Sequence, residues 1–162
     1  MQTLDEILEA YPIRAFAELA AFWRRHAGDA IPRLHELDLM EIYRLMPVTV
    51  LVDLEGPLDG RHVYRWRLAG TEIRLLMGIE ITGLTLGDVF PAESVVRTDG
   101  LYTDVLKTGR PHAWRHAVNT RNPERYFLEY DRLMLPLAGR DGTPAHLIGV
   151  YEFSFAPKPD QG

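Results

Sequence analysis

From residue 48 onward the hydrophobic rhythm changes period in a fixed order, and that order is the tightest constraint on the fold. Residues 48–54 (VTVLVDL) form a short β-branched run, and Gly56-Pro57-Leu58-Asp59-Gly60 comes next as a turn. Residues 62–69 (HVYRWRLA) then alternate, with Tyr64, Trp66 and Leu68 on one face and Arg65 and Arg67 on the other. Together these runs read as an antiparallel hairpin. Gly70 breaks the strand, and Thr71 stands where it could cap a short helix that Gly78 ends. Residues 79–85 are irregular around Gly83, residues 86–90 make a helical turn stopped by Pro91, and residues 94–107 make a longer helix closed by Gly109. Val95, Leu101, Val105 and Leu106 are its inward positions, and Gly100 weakens its middle. The last third returns to period two: residues 111–118, a turn at 119–123, residues 125–137, the Asp141-Gly142 hairpin turn, and residues 145–155. Pro136 marks an edge, a bulge or a strand end.

Two strands, a helical crossover and a three-strand meander make an α+β domain. One five-stranded antiparallel sheet is covered on one face by the crossover, with a small cavity beneath it. Helices precede the sheet. Residues 3–11 open with a Thr3/Glu6 capping box and carry Leu4, Ile7, Leu8 and Tyr11 on one face. Residues 13–27 carry a stripe of Phe16, Leu19, Ala20 and Trp23, and Phe22 widens its apolar arc to about 160°. An arc that wide suits a helix touching both its own sheet and a partner subunit, so Phe16, Leu19, Phe22 and Trp23 are the candidate interface of a homodimer. Residues 38–46 read as a third helix, capped by Asp38 and stopped by Pro47. The expected organisation is an N-terminal helical extension over residues 1–36, a domain over 37–156 and a tail over 157–162.

Composition closes off several chemistries. With 162 residues the chain has the size of one domain with a substantial core. It has no cysteine, which excludes disulfides, thiolate metal sites, a cysteine nucleophile and cysteinyl-flavin photochemistry. A net charge of −5 argues against nucleic acid as a partner. The acidic start MQTLDEILEA is unlike a signal peptide, and no run has the apolar length of a membrane span. The expectation is a cytoplasmic protein that does not engage the membrane.

Candidate catalytic groups are sparse. No nucleophile elbow or phosphate loop is present. His112 and His116 have helical metal-ligand spacing, but on a strand such residues lie about 13 Å apart and cannot share an ion. The helix over 94–107 has no histidine, so haem ligation from it is not expected. Glu129 and Asp131 read as charge partners of Arg115, Arg125 or Arg132 across the sheet. Tyr64, Trp66, Trp114, Tyr126, Tyr130 and Tyr151 decorate the sheet as core, and some could line a pocket. Trp66, Arg67, Thr71, Trp114, His116 and Tyr130 are the candidate ligand-binding residues.

Four stretches in one order carry a family resemblance: Tyr64-Arg65-Trp66-Arg67-Leu68-Ala69-Gly70-Thr71-Glu72-Ile73, Gly78-Ile79-Glu80-Ile81-Thr82-Gly83, Gly109-Arg110-Pro111 and Leu133-Met134-Leu135-Pro136-Leu137. With the Trp23 helix and the Pro32 linker, the chain resembles a bacterial family of mostly single-domain PAS-like proteins over roughly residues 14–155. The resemblance implies a PAS fold, a sensory or regulatory role and frequent dimers, and it carries over no ligand residue. Three functions stand as expectations. The first is a non-catalytic module acting through contact with a signalling protein, and the second is a sensor holding a small molecule in an internal cavity. The alternative is a small cone-shaped α+β enzyme that isomerises or dehydrates its substrate with a Tyr/His/Asp pocket.

Overall fold

In a computed structural model that describes residues 2–119 and 126–157, the period-two segments form one antiparallel sheet of order β2-β1-β5-β4-β3. The strands are β1 (Thr49–Glu55), β2 (Val63–Ala69), β3 (His112–Asn119), β4 (Tyr126–Ala138) and β5 (Pro144–Pro157). The expected turn at 119–123 falls mostly outside the described residues, as does most of the tail. β5 is central and joins the halves: Gly149 lies opposite Val50 of β1 on one side and Met134 of β4 on the other. Pro136 is tolerated inside β4 because its neighbour β3 has already ended, its last pairing being His112 with Met134. The free Pro136 carbonyl accepts a hydrogen bond from Trp23 Nε1 at 2.9 Å.

The β1–β2 hairpin departs from strict alternation. Its register shifts between Leu51 and Val52, so that Trp66 faces Val52 while Leu68 faces Leu51. One extra residue in a strand reverses the facing of every side chain beyond it. Tyr64 and Trp66 therefore pack with the crossover helices, and Leu68 packs on the opposite face with the N-terminal helices.

Among the described residues, five α-helices flank the sheet. Two precede it, α1 (Leu4–Ala10) and α2 (Arg14–His26), and three form the crossover, α3 (Thr71–Met77), α4 (Leu86–Val89) and α5 (Ala92–Thr108). Gly70, not Thr71, is the N-cap of α3, and no side chain caps it; Thr71 is already the first helical residue. Gly78 and Gly109 end α3 and α5 in the left-handed conformation, with φ of 72° and 67°. Between α3 and α4 the irregular stretch shields the outer edge of β2: Trp66 N donates to Leu84 O at 3.0 Å and Gly83 N donates to Trp66 O at 2.7 Å.

The N-terminal helices cover the other face. The Thr3/Glu6 capping box closes α1 with hydrogen bonds of 2.8 and 3.2 Å. The segment expected as a third helix is a 3-10 stretch over Leu39–Val48, with Pro47 inside it and non-helical angles at Ile42; Asp38 caps it through Met40 N. On α2, Phe16, Leu19 and Phe22 are fully buried in the core shared with Leu133, Leu135, Leu137, Ile148 and Val150. The wide arc of α2 is thus absorbed by the chain itself: α2 packs against both the sheet and the 3-10 stretch. Of the four residues expected at an interface, Trp23 alone keeps partial exposure, and its indole is tied to Pro136. The central part of the sheet is buried on both faces, whereas Arg115, Glu129, Glu152 and Ser154 are exposed on the face away from the crossover; no helix of the described residues is long and apolar enough to cross a membrane.

Candidate ligand cavity beneath the crossover

Between the sheet and the crossover helices lies a cavity of about 350 Å³. That is near the lower end of small-ligand sites, which run from about 300 to 1,000 Å³. Period two builds its floor. The registers place Trp114 opposite Arg132 and Arg132 opposite Tyr151, then His116 opposite Tyr130 and Tyr130 opposite Phe153, so all six side chains share one face of β3, β4 and β5. Trp66 of β2 adds the far side, and Ile73, Met77, Val89, Phe90, Thr98 and Tyr102 close the roof from α3, α4 and α5. The floor is a continuous aromatic layer. Ring centroids stand 5.5 Å apart for Trp114–His116, 5.6 Å for His116–Tyr130 and 5.3 Å for Tyr130–Tyr151, and Tyr151 stacks on Phe153 at 5.6 Å.

Within that layer sits a buried charge. Arg132 is 5% exposed, with its guanidinium carbon 4.8 Å from the Trp114 ring centre and 5.5 Å from that of Tyr102. Its Nε and Nη2 have no hydrogen-bond partner among the described residues, and neither has the buried Nε1 of Trp66. The carboxylate next in sequence is on the opposite face. Asp131 accepts from Nε and Nη2 of Arg115 at 2.8 and 3.0 Å, a bidentate pair across β3 and β4. Among the described residues, no Asp or Glu lines the cavity, whereas Arg97, Arg132 and His116 do.

The six residues predicted for ligand binding separate into two groups. Trp66, Trp114, His116 and Tyr130 all line the cavity. Arg67 and Thr71 do not. Arg67 is exposed and donates to Asp53 at 2.8 Å, where Asp53 also bonds His146 at 2.7 Å. Thr71 is exposed at the start of α3. Arg132, Tyr102 and Tyr151 complete the cavity, and alternation offers the signal for two of them. Arg132 lies two residues from Tyr130 on one strand, and Tyr151 pairs opposite Arg132. A second polar cluster, His62 with Asp99 at 3.2 Å and Tyr64 with Thr103 at 2.9 Å, joins the β1–β2 hairpin to α5 and lies outside the cavity lining. Its His62 Nδ1 also faces the carbonyls of Pro57 and Gly60, at 3.1 and 3.0 Å, which marks it as a strut.

The electrostatics arise from burial and the trapped cation. Burial pushes the Tyr130 hydroxyl up to about 12, and burial likewise raises Tyr102, so neither of these two hydroxyls is a counter-charge to Arg132 near neutral pH. His112 is held below the ordinary histidine value by burial and then by Arg132, and His116 by burial and then by Arg97 and Arg132. Both imidazoles are therefore harder to protonate in the folded chain than in the unfolded one. Their contribution to stability is present above the unfolded value of about 6.5 and is lost as pH falls through the lower folded values. Melting temperature is expected to fall between about pH 7 and pH 5, with a shallower fall in a His112→Gln/His116→Gln variant, because this window lies above the carboxylate range. Equal slopes for the two proteins, measured by circular dichroism, would remove the histidines as the cause.

Comparisons with known proteins agree with this architecture. A family model described as a PAS domain matches residues 13–152. No curated protein matches the chain. Among solved structures, the PAS domain of Bordetella pertussis BvgS is similar at 16% identity and a TM-score of 0.50, over 76% of this chain and 88% of that one. The LOV protein of Rhodobacter sphaeroides is similar at 18% identity and a TM-score of 0.48, over 69% of this chain and 64% of that one. A fungal LOV domain photoreceptor is similar at 13% identity and a TM-score of 0.47, over 90% of this chain and 98% of that one.

Proposed function

The chain belongs to the PAS domain family, and from that premise we propose that it is a non-catalytic sensory module whose signal is a small molecule held beneath the crossover. PAS domains are typically sensory and regulatory and generally not enzymes. The observation that carries the finer reading is the cavity itself: set between an aromatic floor and a mostly apolar roof, it contains buried donors without acceptors. A core built only for stability would fill such space, because each unfilled volume and each unsatisfied buried donor costs free energy. The two-sided burial of the central strands suits transmission. Occupancy would press on α3 to α5 on one face, while the N-terminal helices on the other face share the same strands. The output would be a contact with a second copy or with a signalling protein. Since Phe16, Leu19 and Phe22 are buried internally, such a contact would use other surface. The enzyme alternative needs a carboxylate among its tyrosine and histidine, and the lining supplies none among the described residues.

Native mass spectrometry on protein purified gently from its host, then on the same sample denatured, tests this reading. The expected result is extra mass that disappears on denaturation, with the oligomeric state read in the same spectrum. A clean apo protein that also shows no thermal shift with any member of a metabolite library would overturn it. A true ligand at a hundredfold excess over its dissociation constant adds about 2.7 kcal/mol.

A further inference from the structure

Resting on the cavity reading, we infer that the ligand is a compact organic acid, its carboxylate held by the Arg132 guanidinium and its aromatic or branched apolar body lying under the crossover. Four observations converge on that class. First, Arg132 is a permanent cation almost completely removed from water, and between the two rings stacked on it Nε and Nη2 meet no acceptor. Second, the partnerless nitrogens are Nε and Nη2, which form one edge of the guanidinium. That same edge of Arg115 grips the Asp131 carboxylate in a two-point bond on the other face of the same strand pair, so this protein already displays the geometry a carboxylate would take.

Third, the cavity is polarised by exclusion. The chain has 23 Asp and Glu against 18 Lys and Arg, yet the lining holds arginines and no described carboxylate. His116, lowered first by burial, is lowered further by Arg97 and Arg132. Fourth, the remaining wall is mostly apolar, with Ile73, Met77, Val89 and Phe90 facing the aromatic floor and Ser94 and Thr98 as its hydroxyl groups, so a bare inorganic anion would leave most of the cavity unfilled. Trp66, on the far side of β1 and β5 and hence about 14 Å from β4 in strand spacing, brings the other partnerless donor.

Calorimetric titration of the full chain, dialysed free of any retained mass, tests the assignment with phenylacetate, isovalerate and phenylpyruvate against phenylacetamide, isovaleramide and inorganic phosphate. The acids are expected to bind, with the amides weaker by about tenfold or more, and Arg132→Met is expected to lose affinity for the acids by a similar factor. Arg132→Lys keeps a charge but not the two-point fork and is expected to weaken acid binding as well, which serves the test should the methionine variant fail to fold. Amides binding as tightly as acids, or either variant binding like the wild type, would overturn the carboxylate assignment and leave the cavity reading standing. Phosphate binding as tightly as the organic acids would overturn the apolar body. No binding by any probe, together with no retained mass in the native spectrum, would overturn both readings at once.

Discussion

Replacing Trp66 with alanine is expected to destabilise the fold by about 3–5 kcal/mol, the range for truncating a large buried aromatic. Trp66 is 3% exposed and stands at the junction of β2, α3 and α4. Its ring meets Phe90 edge to face at 5.8 Å, and Ile73, Ile81 and Leu86 belong to the same cluster. Truncation there would merge new empty volume with the existing cavity, which the surrounding strands cannot close because β2 is paired through its register with β1. The indole N–H is a separate matter. It is buried with no acceptor, so Trp66→Phe removes an unsatisfied donor while keeping most of the apolar body. That variant is expected to lose less than about 1.5 kcal/mol. Urea unfolding monitored by circular dichroism measures both, with an unchanged m-value as the sign that only stability has moved. A loss near zero for the alanine variant would place Trp66 outside the core. A phenylalanine variant as unstable as the alanine one would mean that the N–H is already satisfied.

Period two carries most of what the sequence reveals about the fold and the site. It locates every strand but β1, which reads as a β-branched run, and it puts Trp114, His116 and Tyr130 on one face, where the structure lines a cavity with them. The same alternation puts Arg132 beside Tyr130. Charge pairing points the other way, because Glu129 and Asp131 precede it and sequence proximity suggests a partner that the pleat forbids. Leu68 escapes the pattern for a different reason. A single-residue bulge leaves no mark in composition but reverses every side chain beyond it. The roof is the least legible part, since Thr98 and Tyr102 face inward from a helix whose more apolar Leu101 and Val95 are only partly buried. The turn over residues 86–90 is legible from Pro91, but its cap is not: Thr85 and Asp88 form a capping box with Asp in place of the usual Glu or Gln. The width of α2 reads equally as one broad internal contact or as two surfaces. Only the position of the 3-10 stretch, which depends on Pro47 and the kink at Ile42, decides between them.

Gly70→Ala is expected to be at least as damaging as the loss of Trp66, although it adds a single methyl group. The reason is close approach rather than backbone angle, since Gly70 has an ordinary φ of −65°. A Cβ there would stand 2.1 Å from Met46 O, 2.3 Å from Pro47 O and 2.4 Å from Pro47 C. All three are backbone atoms, and they cannot swing aside as a side chain would. They belong to the end of the 3-10 stretch as it enters β1, and Gly70 N donates to Thr49 O at 2.9 Å, so the end of β2 and the start of β1 are locked together at this point. Making room would require breaking that bond and shifting the first turn of α3, which Gly70 caps. The cost should exceed the 1–3 kcal/mol of ordinary overpacking and reach about 4 kcal/mol or more. Gly100→Ala is the matched control. Gly100 lies inside α5 with nothing within 4 Å of an added Cβ, so alanine there is expected to stabilise by about 0.5–1 kcal/mol through helix propensity. Urea midpoints that move in opposite directions would establish that Gly70 serves close packing between Met46-Pro47 and the strand end. A Gly70→Ala protein as stable as the wild type would show that the two backbones do not approach as they do here, and the junction between hairpin and crossover would have to be rebuilt.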